Sequence, residues 1–291
     1  MTELPKRIFK YVSSDRIDVL EKLLIRFTQP SCFNDPFEMR VSVDGHSPES
    51  LDKAEDEVNR GHFLQYALRG GKYSYEEFKK IQKSRNRKAM EKLKFDSDYR
   101  KLKSSTRAFE NWNANVGILS LSAEEKNLLM WAHYADSHRG LLIEFDPKHV
   151  FFNQPVATPQ EGEFDFGILT RVIYLQTRPK MHVEKTSPFE TLPMLKTKSI
   201  EWEKEKEWRV YQYLEKRDEQ TAIGNEVVFL FKLPPECVKR VVVGCNMDYQ
   251  KRKRIVNVVK ANPKFKGVKI EESVLNLDLF SLEYQPLPDL Y

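Results

Sequence analysis

The 291-residue sequence is poor in the features that mark secreted and membrane proteins. Its three cysteines, Cys32, Cys237 and Cys245, form neither a CxxC pair nor an even set for disulfides, so we expect reduced thiols. No apolar run approaches the roughly 20 residues that a transmembrane helix needs. The beginning, MTELPKRIFKY, lacks the apolar stretch of a secretory signal. These absences together predict a cytoplasmic protein without a membrane segment.

Histidine is also scarce, and its spacing does not suggest a metal centre. The six histidines are scattered, and His133 and His138 are five residues apart. That spacing misses the i, i+4 arrangement that places two imidazoles on one helix face. A helical histidine often has a structural role, and His138, just before Gly140, can favourably end a helix. We therefore predict no metal site, while His133 stays open as a catalytic candidate.

The residues that are present predict an α+β fold. Hydrophobic residues make up 40% of the chain and charged residues 31%, as in globular proteins. Helical patterns are predicted at about 15–23, 128–136, 186–198 and 248–262. Strand patterns are predicted at 7–12, 24–28, 116–122, 141–145, 171–175, 207–214, 226–233, 240–247 and 266–276. The mixture predicts one α+β domain over residues 1–291 with a mixed or antiparallel sheet, in which 207–214 and 226–233 are neighbouring antiparallel strands.

A helical insertion is predicted at about 48–110, where Gly70-Gly71 marks a break. Its segment 79–107 carries twelve Lys and Arg against three Asp and Glu, a local net charge of +9. Because the whole chain has a net charge of +5, the remaining residues sum to −4. Such a run is common on a solvated helix face. It also fits an electrostatic surface for nucleic acid or another anionic partner, and both interpretations stay open.

Four short stretches are dense in functional side chains. They are the Asn34–Glu38 corner in RFTQPSCFNDPFEM, LSLS at 119–122, LMWAHYADSHRG at 129–140 and WEKEKEWRV at 202–210. A buried carboxylate is costly unless it is paired or hydrogen-bonded, so the corner is either a polar turn or part of a site. Together with Phe9-Lys10-Tyr11, these stretches resemble a large bacterial family known only as a domain of unknown function. The resemblance covers nearly the whole chain apart from the helical insertion, and it implies no particular activity.

The order of these stretches also resembles that of the ADP-ribosyltransferases, which bind NAD in a cleft between two small β-sheets. In those enzymes a first-strand Arg or His contacts the nucleotide, a Ser-Thr-Ser strand shapes the nicotinamide pocket, and the second Glu of Glu-x-Glu binds the ribose. By position, these roles fall to Lys10 or Tyr11 (or Arg7), to Ser120-Leu121-Ser122, and to Glu205 and Glu207. The resemblance implies NAD as the substrate, with transfer to a macromolecule or hydrolysis, in a toxin or in phage defence.

The predicted site combines this resemblance with side-chain chemistry. A carboxylate can stabilise the positive charge that develops when the nicotinamide–ribose bond breaks. Aromatic side chains can stack on the nicotinamide ring, Asn34 can bond its carboxamide, and Asp35 can cap its own turn. We expect Asn34, Ser120, His133 and Glu207 to line one pocket. The catalytic candidates are Glu207, Glu205 and His133, and the NAD-binding candidates are Lys10, Tyr11, Phe33, Asn34, Asp35, Ser120, Ser122, Trp131 and Tyr134.

Two other classes of function stay open at the level of sequence. A Mg²⁺-dependent nuclease or phosphohydrolase would use the carboxylates of Asp35, Glu38, Glu144 and Asp146, and the basic helices would hold nucleic acid. The sequence contains no P-loop and no HNH pattern that would support it. A non-enzymatic interaction module is the other alternative. In that case the polar stretches only close the fold, and the WEKEKEW run is a self-neutralised ladder of charges.

Overall fold

The computed structural model describes residues 3–44, 48–155, 166–182, 195–224 and 226–287. Backbone contacts separate the chain into two compact units. The first unit comprises Met1–Met39, Trp112–Gln176 and Lys196–Tyr291, and the second comprises Arg40–Asn111 and Thr177–Leu195. A single domain over the whole chain therefore stays a prediction. The described residues hold no helix with the length and apolar character needed to cross a membrane.

Helices and strands mix throughout the chain, as an α+β fold requires. The helices are α1 (Asp18–Lys22), α2 (Pro48–Leu68), α3 (Tyr75–Phe95), α4 (Ser97–Asn115), α5 (Leu128–Tyr134) and α6 (Tyr249–Ala261). The strands are β1 (Ile8–Val12), β2 (Leu24–Phe27), β3 (Ser42–Asp44), β4 (Val116–Ser122), β5 (Leu141–Phe145), β6 (Thr170–Arg171), β7 (Ile173–Leu175), β8 (Lys180–His182), β9 (Thr197–Ser199), β10 (Glu207–Tyr213), β11 (Glu219–Ile223), β12 (Glu226–Lys232), β13 (Val238–Val243), β14 (Lys269–Leu275) and β15 (Leu282–Pro286).

The first unit is organised by a mixed sheet, which has eight strands within the described residues. Its order is β15-β14-β13-β5-β1-β4-β10-β6. Among the described pairs of this sheet, only β13–β14 is parallel, and α6 connects these two strands, as a parallel crossover requires. The mixed sheet and the α+β class are therefore confirmed. A smaller sheet of order β11-β12-β2 belongs to the same unit.

Both faces of the large sheet are covered by apolar side chains. Leu141, Ile143 and Phe145 of β5 lie in the main hydrophobic core, while Leu142 belongs to a second cluster together with Trp131. This alternation follows from the two-residue period of a strand. On β10 the same period places Trp208 and Val210 in the main core. Glu207 and Arg209 consequently point to the opposite face.

Three predictions about secondary structure need correction. Strand β12 pairs with β11 and β2, not with β10. The pattern missed β11 because all of its residues are exposed, and Gly224, with a φ of 58°, lies at its hairpin turn. The helix predicted at 15–23 is split into a 3₁₀ turn and α1, and it ends at Leu23 in the left-handed conformation. Most of the helix predicted at 186–198 lies outside the described residues, and Thr197 and Lys198 belong to β9.

The second unit contains the helices predicted for the insertion. Helices α2 and α3 are separated by a turn at Gly70, whose φ is 81°. They pack through the rings of Phe63, Tyr66 and Phe78. Ser74 and Glu77 form a capping box that starts α3. The expected break at Gly70-Gly71 is therefore confirmed.

Candidate functional site

A cavity of about 360 Å³ in the first unit gathers the polar stretches singled out by the sequence. Its volume is at the lower end for a small-molecule pocket. Strands β1 and β4 share a single registered pair, Phe9 with Ser122, and residues of both strands line the cavity. The full lining is Phe9, Lys10, Tyr11, Arg26, Thr28, Cys32, Phe33, Asn34, Glu38, Ser120, Leu121, Ser122, His133, Tyr134, Lys198, Glu205 and Glu207.

The acidic pair enters this cavity from the turn that precedes β10. Glu205 ends a 3₁₀ helix, Ile200–Glu205, and Glu207 begins the strand. Between them, Lys206 adopts the left-handed conformation, with a φ of 44°, and its exposed ammonium pairs with Glu124 at 2.7 Å. Both glutamates therefore face the cavity while Lys206 points away.

A buried ion cluster forms one wall of the cavity. It consists of Glu38, Lys198, Glu205, Glu207 and Arg209, each at most 6% exposed. The Lys198 ammonium donates to Glu205 Oε2 at 2.6 Å and to Glu207 Oε2 at 3.0 Å, and it lies 3.8 Å from Glu38 Oε2. Arg209 donates to both Glu207 oxygens, at 2.8 and 2.9 Å, and also pairs with Glu38. With all three carboxylates ionised, the cluster carries one more negative than positive charge.

Burial and neighbouring charges shift the pKa values of this cluster. Burial opposes the charge of Lys198, but the carboxylates of Glu207 and Glu205 outweigh it and raise the lysine pKa. Burial raises the pKa of Glu207, and the negative charge of Glu205 adds to the effect, whereas Lys198 works against it. Burial lowers the pKa of Arg209. The cluster therefore favours protonation of Glu207 or the approach of a positive charge.

Tyr134 of α5 connects the FNDPFE corner to the cluster. Its hydroxyl donates to Glu205 Oε1 at 2.7 Å and accepts from Asn34 Nδ2 at 3.0 Å. Burial raises the pKa of Tyr134, and the charge of Glu205 raises it further, so the phenol stays protonated. Asn34 itself is exposed at the cavity. The two side chains therefore position Glu205 by hydrogen bonding.

Two cations outside the ion cluster, Lys10 and Arg26, also line the cavity. Lys10 of β1 donates to the carbonyl oxygen of Ser120 at 2.8 Å, and burial lowers its pKa to about 8. Arg26 of β2 also lines the cavity, and one of its guanidinium nitrogens lies 3.2 Å from Glu226. A desolvated lysine gains stability when an anion approaches its ammonium. Lys10 and Arg26 can therefore hold an anionic group of a ligand.

The two serines of β4 have different surroundings. The Ser122 hydroxyl donates to the carbonyl of Glu205 at 2.6 Å and accepts from the Glu124 backbone at 2.9 Å, so it fixes the acidic turn. Ser120 hydrogen bonds the Glu207 carboxylate. The backbone nitrogen of Glu207 donates to the Tyr174 hydroxyl at 2.8 Å. Both serines thus support the acidic pair.

Asp35 and Trp131, two of the predicted ligand-binding residues, lie away from the cavity lining. Asp35 is buried and accepts a hydrogen bond from the Phe37 backbone at 2.8 Å, which confirms the predicted turn cap. Trp131 is fully buried, and its indole donates to Tyr284 at 3.0 Å. Its ring also stacks against His138. This burial leaves Trp131 no free face for a nicotinamide ring, so that expectation is corrected.

The other predicted residues converge. Asn34, Ser120, His133 and Glu207 all line the one cavity, although they come from four separate stretches. Phe33, Lys10, Tyr11 and Tyr134 line it too, but the Tyr11 hydroxyl donates to the carbonyl of Glu124 at 2.8 Å. His133 is exposed at the rim.

Lys198, Arg209 and Arg26 were missed as site residues. For Arg209 the strand period gave a usable signal, because it shares a face with Glu207. Lys198 precedes the WEKEKEWRV stretch by four residues and lies outside the stretches singled out in the sequence. Arg26 sits in an otherwise apolar strand, and its sequence neighbours gave no hint of a site. Arg209 pairs with Glu207 on its own strand, but its other partner, Glu38, and the partner of Arg26, Glu226, are distant in the chain.

The four carboxylates considered for magnesium are engaged elsewhere. Glu144 pairs with Arg7 at 3.0 Å and with Arg240 at 2.6 Å. Asp146 accepts from the Lys148 backbone at 3.0 Å and pairs with Lys239. Across the part of the chain that the structure describes, no group of three or more His, Cys, Asp or Glu residues could hold a metal ion.

Comparison with known proteins gives one match. Residues 130–210 match the family model described as "Protein of unknown function (DUF2971)". This segment contains the LMWAHYADSHRG motif except its first residue, Leu129, and it contains the acidic turn. It therefore includes His133, Tyr134, Lys198, Glu205 and Glu207. The predicted resemblance to a domain of unknown function is confirmed over these residues. No curated protein and no solved structure matches the chain.

Proposed function

We propose, from the chemistry of this cavity, that the protein is an ADP-ribosyltransferase-like enzyme that breaks the nicotinamide–ribose bond of NAD. The observation that carries the proposal is the buried ion cluster, in which three carboxylates face two cations. Its surplus negative charge suits a ligand that is positively charged or becomes so during reaction. The pyridinium ring of NAD and the oxocarbenium-like ribose both meet this description.

The cluster would act by electrostatic stabilisation. When the bond between ribose C1′ and the nicotinamide nitrogen breaks, its electron pair neutralises the pyridinium and positive charge develops on the ribose. A fixed, desolvated carboxylate stabilises that charge without reorganising during the reaction. Glu207 is held rigidly by Arg209 and Lys198, and its neighbour Glu205 is held by Lys198 and Tyr134. Such rigidity is what preorganised electrostatic catalysis needs.

The remaining cavity groups suit the other parts of the dinucleotide. Lys10 and Arg26 would contact phosphate oxygens, since both are cations that line the cavity. Phe33 offers a ring for stacking, and Asn34 offers an amide to the nicotinamide carboxamide. The cavity volume of about 360 Å³ suits the nicotinamide ribose half of NAD.

His133 would serve the nucleophile that replaces nicotinamide. It is exposed at the rim of the cavity, and an imidazole can accept a proton near neutral pH. Water or an acceptor would lose a proton to His133, and its oxygen or nitrogen would bond to C1′. Water gives hydrolysis, and an acceptor gives ADP-ribosylation. A role in a toxin or in phage defence remains part of this proposal.

The proposal is tested by NAD binding and by nicotinamide release. We expect NAD to raise the melting temperature and nicotinamide to be released on incubation. Glu207→Gln should lower turnover by roughly two to four orders of magnitude, because it removes a key electrostatic group. Glu203→Gln is the matched control, since Glu203 is exposed on the same 3₁₀ helix and lies outside the cavity lining.

Two results would contradict the proposal. One is the absence of both a thermal shift and nicotinamide release with the wild-type protein. The other is a Glu207→Gln variant that releases nicotinamide at the wild-type rate. Nucleic-acid cleavage that depends on added Mg²⁺ would instead favour the nuclease alternative.

A further inference from the structure

A second, smaller pocket adjoins the cavity. Its volume is about 260 Å³, and it shares His133 and Glu205 with the larger cavity. The rest of its wall includes Leu129 and Met130 of α5 and Trp202 of the 3₁₀ helix. Leu129 is 54% exposed, so the wall of this pocket reaches the solvent. None of the functions assigned above uses this pocket.

The pocket combines an apolar and aromatic wall with polar residues, which include the exposed Glu201 and Lys204. Trp202 is half-buried, and the Lys198 ammonium lies 5.0 Å from its ring centroid. Asn127 also lines the pocket, but its side-chain oxygen caps α5 and its amide donates to the carbonyl of Lys204 at 2.6 Å. A ligand in this pocket would therefore contact the apolar side chains of Leu129, Met130 and Trp202 and lie near the shared His133 and Glu205. Apolar walls with a few convergent polar groups are typical of small-molecule sites.

We propose that this pocket is the acceptor subsite and takes an aromatic ring carried close to a hydroxyl or amine nucleophile. The inference rests on the proposed function. The volume suits a single ring, and a ring packed edge-on or offset against Trp202 gains more than its buried area alone provides. Because His133 lines both pockets, an acceptor bound here has its nucleophile beside the base and beside the ribose.

The step is a group transfer at ribose C1′. The acceptor O–H or N–H gives its proton to His133, and the acceptor atom forms a bond to C1′. The bond from C1′ to the nicotinamide nitrogen breaks, and its electron pair leaves with neutral nicotinamide. The products are the ADP-ribosylated acceptor, nicotinamide and a proton on His133.

The test uses the full chain and two probes, tyrosinamide and serinamide. Both carry a hydroxyl and an amine, but only tyrosinamide has an aromatic ring. We expect calorimetry to show tighter binding of tyrosinamide. Trp202→Ala should weaken that binding about tenfold or more, and Trp202→Phe should restore most of it. Leu129→Ala should also weaken it, and we expect little loss of stability because the Leu129 side chain is 54% exposed. Leu128→Ala is the control, because Leu128 is 38% exposed on the same helix and does not line the pocket.

Equal affinity for the two probes, or unchanged tyrosinamide binding in both Trp202→Ala and Leu129→Ala, would overturn the subsite. In the presence of NAD, the KM for tyrosinamide should rise in Leu129→Ala while kcat changes little; a fall in kcat alone would also count against the subsite. Failure of the proposed function looks different. The wild-type protein would then release no nicotinamide, while the tyrosinamide titration would still decide whether the pocket binds aromatic groups.

Discussion

Replacement of Lys198 by methionine probes the ion cluster directly, since Lys198 is one of its two cations. The Lys198 side chain is 3% exposed, and its ammonium makes hydrogen bonds of 2.6 and 3.0 Å to two carboxylates. Lys198→Met changes the surplus from one negative charge to two. Removing one partner of a buried ion pair costs about 3–5 kcal/mol, which is roughly two to three and a half orders of magnitude in the folded-to-unfolded ratio.

The loss of stability expected for Lys198→Met is best compared with that of Glu207→Gln, which changes the charge of the same cluster in the opposite direction. Glu207→Gln leaves two carboxylates facing two cations, so the cluster becomes neutral. The amide keeps the side-chain volume and one oxygen that can accept from Lys198 or Arg209. We therefore expect a loss of less than about 2 kcal/mol in the free energy of unfolding. The ranking of the two variants follows from the charge surplus, because one substitution increases that surplus and the other removes it.

The stability of Lys198→Met should also depend on pH, because the substitution changes the pKa of Glu207. Burial already raises the pKa of Glu207 and Lys198 restrains the rise, so Lys198→Met should raise it further. A carboxyl whose folded pKa is raised contributes stability below its unfolded pKa, and this contribution is lost as pH rises through the folded pKa. The deficit of Lys198→Met relative to the wild type should therefore shrink as pH falls from about 8 to about 5.

Urea denaturation followed by tryptophan fluorescence measures both effects. The four tryptophans, at 112, 131, 202 and 208, all belong to the first unit, which contains the cluster. Equal destabilisation by Lys198→Met and Glu207→Gln would refute the charge argument. A Lys198→Met deficit that does not change with pH would refute it as well.

Two further predictions concern Lys10, which lines the cavity, and the basic helices of the second unit. Because burial lowers the pKa of Lys10 to about 8, binding of the NAD phosphates should raise it and take up a proton, so NAD affinity should fall as pH rises through about 8. Calorimetry should find weaker binding and a lost pH slope in Lys10→Met; a retained slope would exclude Lys10. In the second unit, Lys79 and Lys94 pair with Asp56 and Asp52, which leaves less than the full charge of segment 79–107 for a partner. If nucleic acid binds there, log K should fall with log salt by about 0.9 per duplex contact or about 0.7 per single-strand contact. The slope should flatten when four residues are changed to Glu, namely Arg85, Arg87, Lys88 and Lys92. If a gel shift at two salt concentrations detects no binding by the wild-type protein, the nucleic-acid interpretation is excluded and the basic segment is a solvated helix face.

The sequence by itself determined the elements whose pattern is local. β5 was predicted at its observed bounds because a continuous apolar run is enclosed by Gly140 and Asp146-Pro147. The two-residue period of β10 accounts for the separation of Trp208 and Val210, which lie in the core, from Glu207. The break at Gly70-Gly71 and the turn cap of Asp35 also depend on neighbouring residues alone. In each case the interactions that decide the conformation span only a few residues.

The tertiary structure alone decided which side chains meet. At Gly140 the constraint comes from a distant strand, because a Cβ at this position would collide with the backbone oxygen of Val12. Trp131 had a site-like sequence context, yet packing under Tyr284 buries it completely. Lys198 became a central group because the turn before β10 and the neighbours of that strand bring three glutamates to its ammonium. Strand order and register set such contacts between distant residues, and a periodic pattern along one segment contains no information about them.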